Sequence, residues 1–321
     1  MKIFIAGISG LLGLNLALHA KDRHQLSGCY LNHPILLEGV SLARVDLTQS
    51  GDTIDAITTI RPDVVINTVA LTDVDRCQKD PQLALSQNVD SAHNVALACK
   101  ATGARLIHIS TDQLFDGPQT WKTETHPLSP PNHYGKTKMR AEEVVTKVCP
   151  GALVIRTNFF GWGTSLRTSF SDWIIGAIRG QQTLTMFTDV FFTPILINDL
   201  ADILDGLIET GATGVFHVAG ADRLSKHDFA SRLAKVFGLS DDNIRPISVE
   251  EFNFAAMRPK EMSLGSHKSE QWLQAEMPGV ISGLTKLRDL EKTGWTGRLE
   301  QAITQEIRGT GASVNSGEIK D

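Results

Sequence analysis

Ser110, Thr111 and Asp112 close a short apolar run, and some twenty residues later the chain reads YGKTK at positions 134–138. A hydroxyl that ends a strand can hydrogen-bond a substrate carbonyl oxygen, because the carboxyl ends of parallel strands face the ligand crevice. Residues four apart share one face of a helix, so Tyr134 and Lys138 lie together while Lys136 points nearly opposite. A phenol of ordinary pKa, about 10, is a weak acid at neutral pH. A nearby ammonium stabilises the phenolate and brings the tyrosine into range for proton transfer. The chemistry open to this set is proton transfer beside a substrate carbonyl group. Singly, Ser-Thr-Asp is equally a turn or N-cap signal, and Tyr-x-x-x-Lys equally a surface pair; it is their order along the chain that carries weight.

Ahead of them stands Gly7-Ile-Ser9-Gly10-Leu11-Leu12-Gly13, directly after the run KIFIA and at the start of a helical pattern. Glycine permits the tight turn and lets a diphosphate approach the main chain. The helix N-terminus offers free N–H groups to that anion, and the last glycine allows close helix–sheet packing. These residues predict a dinucleotide site. At the end of the second expected strand the chain has Asn32-His33 where a carboxylate would bond the ribose hydroxyls. That substitution leans toward NADPH, with NADH as the other candidate. Asp46 and Leu47 follow the third strand; Asp46 is placed either to accept from an adenine amino group or to cap a helix.

The elements that must position these residues are legible as alternation. KIFIAG, HQLSGCYL, VSLARVDL, DVVINTVA, ARLIHISTD and GALVIRTN are short β-type runs separated by helical patterns. Among the latter are LLGLNLALHA, DTIDAITTIRP and LALSQNVDSAHNVALACKATG, the last a long amphipathic helix closed by Gly103. Such alternation predicts an α/β fold, a Rossmann-type doubly wound parallel sheet. After about residue 158 the rhythm loosens; FFTPILINDLADILDGLIE reads as a strand entering a helix, and GVFHVAG as one more strand. The expected division is a cofactor-binding unit from residues 1–157 and about 185–218. A smaller, irregular α/β substrate-binding unit would take about 158–184 and 219–305, and the apolar-poor stretch 308–321 is expected to be disordered.

The chain has 321 residues, 41% hydrophobic and 21% charged, with a net charge of −5 and no dense basic run, so a nucleic-acid partner is not expected. No stretch approaches the ~20 apolar residues that span a bilayer, and acidic residues do not cluster with metal-ligand spacing. Four cysteines, Cys29, Cys77, Cys99 and Cys149, are widely spaced without a Cys-x-x-Cys pair, which suits reduced thiols in a cytoplasmic protein.

Taken together, Gly7/Gly10/Gly13, NTVA at 67–70, STD and YGKTK resemble the extended short-chain dehydrogenase/reductase superfamily. RPDVVINTVALTDVDRCQ, STDQLFDG, PLSPPNHYGKTKMRAE, FTPILINDLA and RPKEMSLG are similar, more narrowly, to the dTDP-4-dehydrorhamnose reductase family of nucleotide-sugar reductases, over about residues 1–300. The resemblance implies hydride transfer from a nicotinamide to a nucleotide-linked 4-keto sugar. It implies that Thr111 polarises the ketone, Tyr134 protonates the alkoxide, and Lys138 lowers the tyrosine pKa while holding the nicotinamide ribose. Val69, Ala70, Leu71 and Ser110 would line the cofactor, and Asn88 would lie near it or behind Lys138. Thr72, Val74, Asp75, Asp112, Gln113 and Phe159 would meet the sugar, and Arg258 the nucleotide diphosphate. A homodimer is implied as well.

Two positions depart from that family: Gln113 stands where an aromatic residue usually follows Ser-Thr-Asp, and Phe159 where tryptophan often follows the Arg-Thr of strand six. Phe160 and Trp162 are candidates for an aromatic wall or simply for core. Two competing functions share the fold. One is a sugar-nucleotide dehydratase or epimerase; dehydration needs a second carboxyl group beside Thr111-Asp112, and Gln113 does not supply it. The other is a non-enzymatic regulatory subunit, which would not require Tyr134, Lys138 and the glycine turn together.

Overall fold

The computed structural model describes residues 1–303. The stretch 308–321 lies outside them. The first half alternates β1 (Lys2–Ala6), α1 (Leu11–Ala20), β2 (Gln25–Tyr30), β3 (Ser41–Arg44), α2 (Ser50–Ile60) and β4 (Val64–Asn67). It continues with α3 (Val74–Lys79), α4 (Pro81–Leu85), a π turn (Ser86–Asp90), α5 (Ser91–Thr102), β5 (Arg105–Ile109), α6 (His133–Val148) and β6 (Leu153–Arg156). The second half holds the short strands β7 (Phe159–Phe160), β8 (Leu184–Phe187), β9 (Phe191–Phe192) and β10 (Ile195–Leu196), with α7 (Phe170–Arg179) between the first two. After them come α8 (Ile197–Glu209), β11 (Gly214–His217), β12 (Leu224–Ser225), α9 (Lys226–Val236), β13 (Ile244–Ile247), α10 (His267–Leu273), α11 (Val280–Lys292) and α12 (Trp295–Gln301).

Seven strands form one parallel sheet in the order β3-β2-β1-β4-β5-β6-β11. The chain builds outward from β1 to β3, then returns to β4 on the other side. The crevice between β1 and β4 is therefore the topological switch point where such sheets bind ligands. Side chains alternate between the two faces, as the period of two along a strand requires. Ile3, Ile5, Ile66, Ile107 and Ile155 pack toward α1 and α8. Phe4, Ala6, Val65, Leu106 and Val154 pack toward α2, α5 and α6.

Beside the sheet, three two-stranded pairs, β7 with β10, β9 with β12 and β8 with β13, hold the second half together. Leu184–Phe187, just at the expected re-entry near residue 185, pairs with Ile244–Ile247 and not with the large sheet; the return to the sheet is made by α8 and β11. The long helix expected before Gly103 is one unbroken run of α4, the π turn and α5, closed by Gly103, with the π turn as its one irregularity. Among the described residues no helix is long and apolar enough to cross a membrane.

Candidate active site

The Tyr134 helix is fixed at four points. Asn132 caps it, accepting from the Gly135 N–H at 2.8 Å, while its own amide donates to the Met257 carbonyl at 2.9 Å. Gly135 has no side chain because a methyl group there would collide with the Gln113 carbonyl oxygen and Pro130; the first turn of α6 thus presses directly on the loop after β5. Thr137 accepts from the Asn88 amide at 2.9 Å and donates to the Tyr134 carbonyl at 2.8 Å. One turn past Lys138, Glu142 forms a buried ion pair with Arg156 at 2.7 Å, joining α6 to β6.

Between these points the Lys138 ammonium is buried and donates to the Ile109 carbonyl at 2.7 Å, directly before Ser110 and Thr111. Burial lowers its pKa to about 8, with the Glu142 carboxylate opposing. Burial and the Lys138 charge keep His108 neutral, its ring accepting from the Asn67 amide at 3.3 Å. Lys136 is exposed.

A cavity of about 780 Å³ lies along the carboxyl ends of β1 to β6. Its walls include Gly7, Ser9, Gly10, Leu11, Leu12, Asn32, His33, Asp46, Leu47, Val69 and Ala70 at one end. Ser110, Thr111, Asp112, Gln113, Tyr134, Lys138, Thr72, Asp75, Phe159 and Arg258 line the rest. Six of the sequence-derived candidates do not line it. Gly13 packs on the turn after β1, where a methyl group would collide with the Gly7 carbonyl oxygen. Val74, expected near the sugar, and Leu71, expected near the cofactor, belong instead to an apolar cluster with Cys77, Ala84, Ala256 and the ring of Tyr134. Asn88 is buried in the π turn, where its carbonyl accepts from the Leu71 N–H at 2.6 Å. It thereby clamps the loop after β4 to α6. Phe160 and Trp162 are core, the latter donating to the Leu287 carbonyl at 2.7 Å.

Two expected partners are tied to each other. Arg258 donates to Asp75 at 3.0 Å and to the Ala256 carbonyl at 3.0 Å, with its guanidinium 4.1 Å from the Phe254 ring centroid. Hydrogen bonds from Arg258 and the Ala256 N–H, working against desolvation, hold Asp75 below the usual carboxylate range. Asp46 accepts from the Thr48 N–H and hydroxyl through one oxygen, and Gln49 takes the N-cap position of α2.

Sequence reasoning missed several wall residues. Asn158, two residues beyond β6, donates to Asp112 at 2.8 Å. The strand-end rule that selected Thr111 would have found it and its neighbour Thr157. Lys226 comes from the start of α9, its ammonium 3.9 Å from the Phe192 centroid and 4.6 Å from that of Phe170. Nothing local in the sequence announces it. Burial pushes Asp112 up to about 6, against the lowering influence of Lys226, Asn158 and Thr111.

The glycine end has what a dinucleotide needs. Gly7 adopts φ of 80°, a conformation side chains resist. Helix α1 has neither a side-chain cap nor an acidic residue in its first turn, which leaves its N–H groups for an anion. Toward the tyrosine end, Ser110, Thr157 and Gln113 line the cavity, and among the described residues their buried side-chain oxygens have no hydrogen-bond partner.

Comparison with known proteins agrees with this geometry. The family described as the RmlD substrate binding domain matches residues 1–289. The dTDP-4-dehydrorhamnose reductase of Mycolicibacterium smegmatis is 30% identical over 324 aligned residues, covering 96% of this chain and 87% of that protein. A crystal structure of a dTDP-4-dehydrorhamnose reductase from Clostridium acetobutylicum superposes with a TM-score of 0.79 at 28% identity, covering 91% of this chain and 100% of that one. The Bacillus anthracis dTDP-4-dehydrorhamnose reductase in complex with NADP superposes with a TM-score of 0.79 at 26% identity, over 89% and 98% of the two chains.

Proposed function

The chain belongs to the RmlD substrate binding domain family, and from that premise we propose that it reduces dTDP-4-dehydro-L-rhamnose to dTDP-L-rhamnose. It is an NAD(P)H-dependent oxidoreductase of the sugar-nucleotide class. The observation that carries the specific reading is the joint placement of Thr111 and Tyr134 on one cavity wall with the Lys138 ammonium buried beside them.

A nicotinamide supplies the hydride when bound. The roles of this chain's residues follow from where they sit. Thr111 orients the ketone oxygen through its hydroxyl. As negative charge grows on that oxygen, Tyr134 gives it the phenolic proton, and Lys138 stabilises the resulting phenolate. Asp112, Asn158 and Gln113 hold sugar hydroxyls, and Arg258 with Asp75 closes the nucleotide side. Residues 1–157 together with α8 and β11 form the cofactor-binding unit in this reading, and the remainder of the second half the substrate unit. The four free cysteines fit a cytoplasmic location, and a homodimer is expected, to be read from its mass in solution.

The test is direct. Purified protein is mixed with NADPH or NADH and dTDP-4-dehydro-L-rhamnose, and loss of the reduced nicotinamide absorbance is followed. Turnover that yields the 4-hydroxy sugar supports the reading. Protein that binds cofactor yet turns over none of a panel of 4-keto sugar nucleotides overturns it.

A further inference from the structure

The loop between β7 and α7 reaches back across the cavity to the glycine turn. It is held there from three sides. The Asn15 amide of α1 donates to the Trp162 carbonyl at 2.9 Å. The Gly163 N–H donates to Asp172 of α7 at 2.7 Å. Ser165 donates to Glu300 of α12 from its hydroxyl at 3.0 Å. At its tip Thr164 and Arg167 exchange two backbone hydrogen bonds, at 3.1 and 3.0 Å. Gly163 is required at this turn, since a methyl group would collide with the Arg167 carbonyl oxygen.

The result is a narrow crevice in which Gly163, Thr164 and Arg167 face Ser9, Gly10, Leu11, Leu14 and Asn15. Arg167 also borders the main cavity, together with Asn32 and His33 from the end of β2. Burial lowers the pKa of the His33 imidazole, and the positive charge of Arg167 adds to that lowering. Among the described residues no carboxylate accepts from the Arg167 guanidinium, which stays exposed while its backbone alone is bonded. Three elements thus converge on one spot: the open N-terminus of α1, the end of β2, and an arginine from a distant loop.

That spot is where the adenosine ribose of a dinucleotide lies when its diphosphate sits on the first glycine turn. A carboxylate at the end of β2 would accept from both ribose hydroxyls and repel a phosphate; Asn32 and His33 stand there instead. An arginine guanidinium suits phosphate geometry. We infer that Arg167, with Asn32 and His33, forms a cradle for the 2′-phosphate of NADPH, so that a loop of the second half selects the cofactor. This rests on the reductase reading and refines it.

Calorimetric titration of the full chain with NADP⁺ and with NAD⁺ tests the cradle without any sugar substrate. The native protein is expected to bind NADP⁺ more tightly. Arg167→Ala is expected to lose about tenfold or more in NADP⁺ affinity, the scale of a charge-assisted hydrogen bond, while NAD⁺ affinity holds. Equal weakening of both cofactors would place the guanidinium on the shared diphosphate and overturn the cradle, as would unchanged NADP⁺ affinity. Because NAD⁺ serves as the internal control, misfolding of the variant cannot imitate the expected result. A native protein that binds neither cofactor would remove the reductase reading itself, a distinct outcome.

Discussion

The Lys138 ammonium donates to the Ile109 carbonyl at 2.7 Å, so the helix bearing Tyr134 is fastened to the strand that ends in Thr111. The two groups proposed to act on one oxygen therefore cannot drift apart without breaking a buried, charge-assisted bond. Lys138→Met removes that tie along with the charge. Its folded pKa of about 8 lies below the ordinary lysine value, so the native protein gains stability as pH rises from about 8 toward 10.5. The variant is expected to lose this pH dependence in thermal melts and to lose turnover about a hundredfold or more. Lys136→Ala, on the exposed face, is expected to leave turnover nearly unchanged.

Tyr134→Phe keeps the ring that packs with Val74, Cys77 and Ala256 and removes only the hydroxyl. Turnover is expected to fall by about 10²- to 10⁴-fold, with cofactor affinity retained in a binding titration. A variant that still turns over at the native rate would assign the proton to another group.

Asp112 is held neutral up to about pH 6 by burial, above its ordinary range. The folded state then holds a proton that the unfolded state has released, so this group's contribution to stability falls as pH rises from about 4 through 6. Asp112→Asn removes that loss. The expected gain at pH 7 is at most about 3 kcal/mol, the free energy equivalent of the shift, read as a higher melting temperature than native protein at pH 7 and a smaller difference at pH 4. A lower affinity for the sugar nucleotide should accompany it.

Asn88 bonds Leu71 and Thr137 at once. Asn88→Ala leaves the Leu71 N–H without its partner, a cost of about 1–3 kcal/mol measurable by denaturant unfolding. Turnover should fall while the pH profile keeps its shape, because Asn88 holds the helix that bears Tyr134 in place and transfers no proton.

Much of this arrangement is legible in the sequence wherever function is local. The glycine turn, the strand-end Ser110–Asp112 and the i,i+4 spacing of Tyr134 and Lys138 each follow from the geometry of one element, and of the site residues they predict only Gly13 lies off the cavity wall. What escaped is what needs the tertiary fold. Val74 and Leu71 occupy a segment that passes the site, yet only packing decides that they turn inward beneath Tyr134. Lys226 and Arg167 arrive from elements dozens of residues away. Arg258 is spent on Asp75, a pairing between residues 183 positions apart in the chain that no periodicity encodes. The long helix before Gly103 is legible, but the π turn inside it is not, because that turn changes the bonding step without changing composition.

That π turn has a consequence for the lineage of the chain. Wider than an α turn, such a loop corresponds to one extra residue in an otherwise regular helix, and each residue advances the helix by 100°. It lets a single rod answer two neighbours out of phase: Asn88 aimed at α6, then Ala92, Val95, Ala96 and Cys99 aimed at the sheet. A one-residue deletion anywhere within 86–90 would mend the helix and set these two faces at odds, so the reading frame of the rod is itself part of the active site's inheritance.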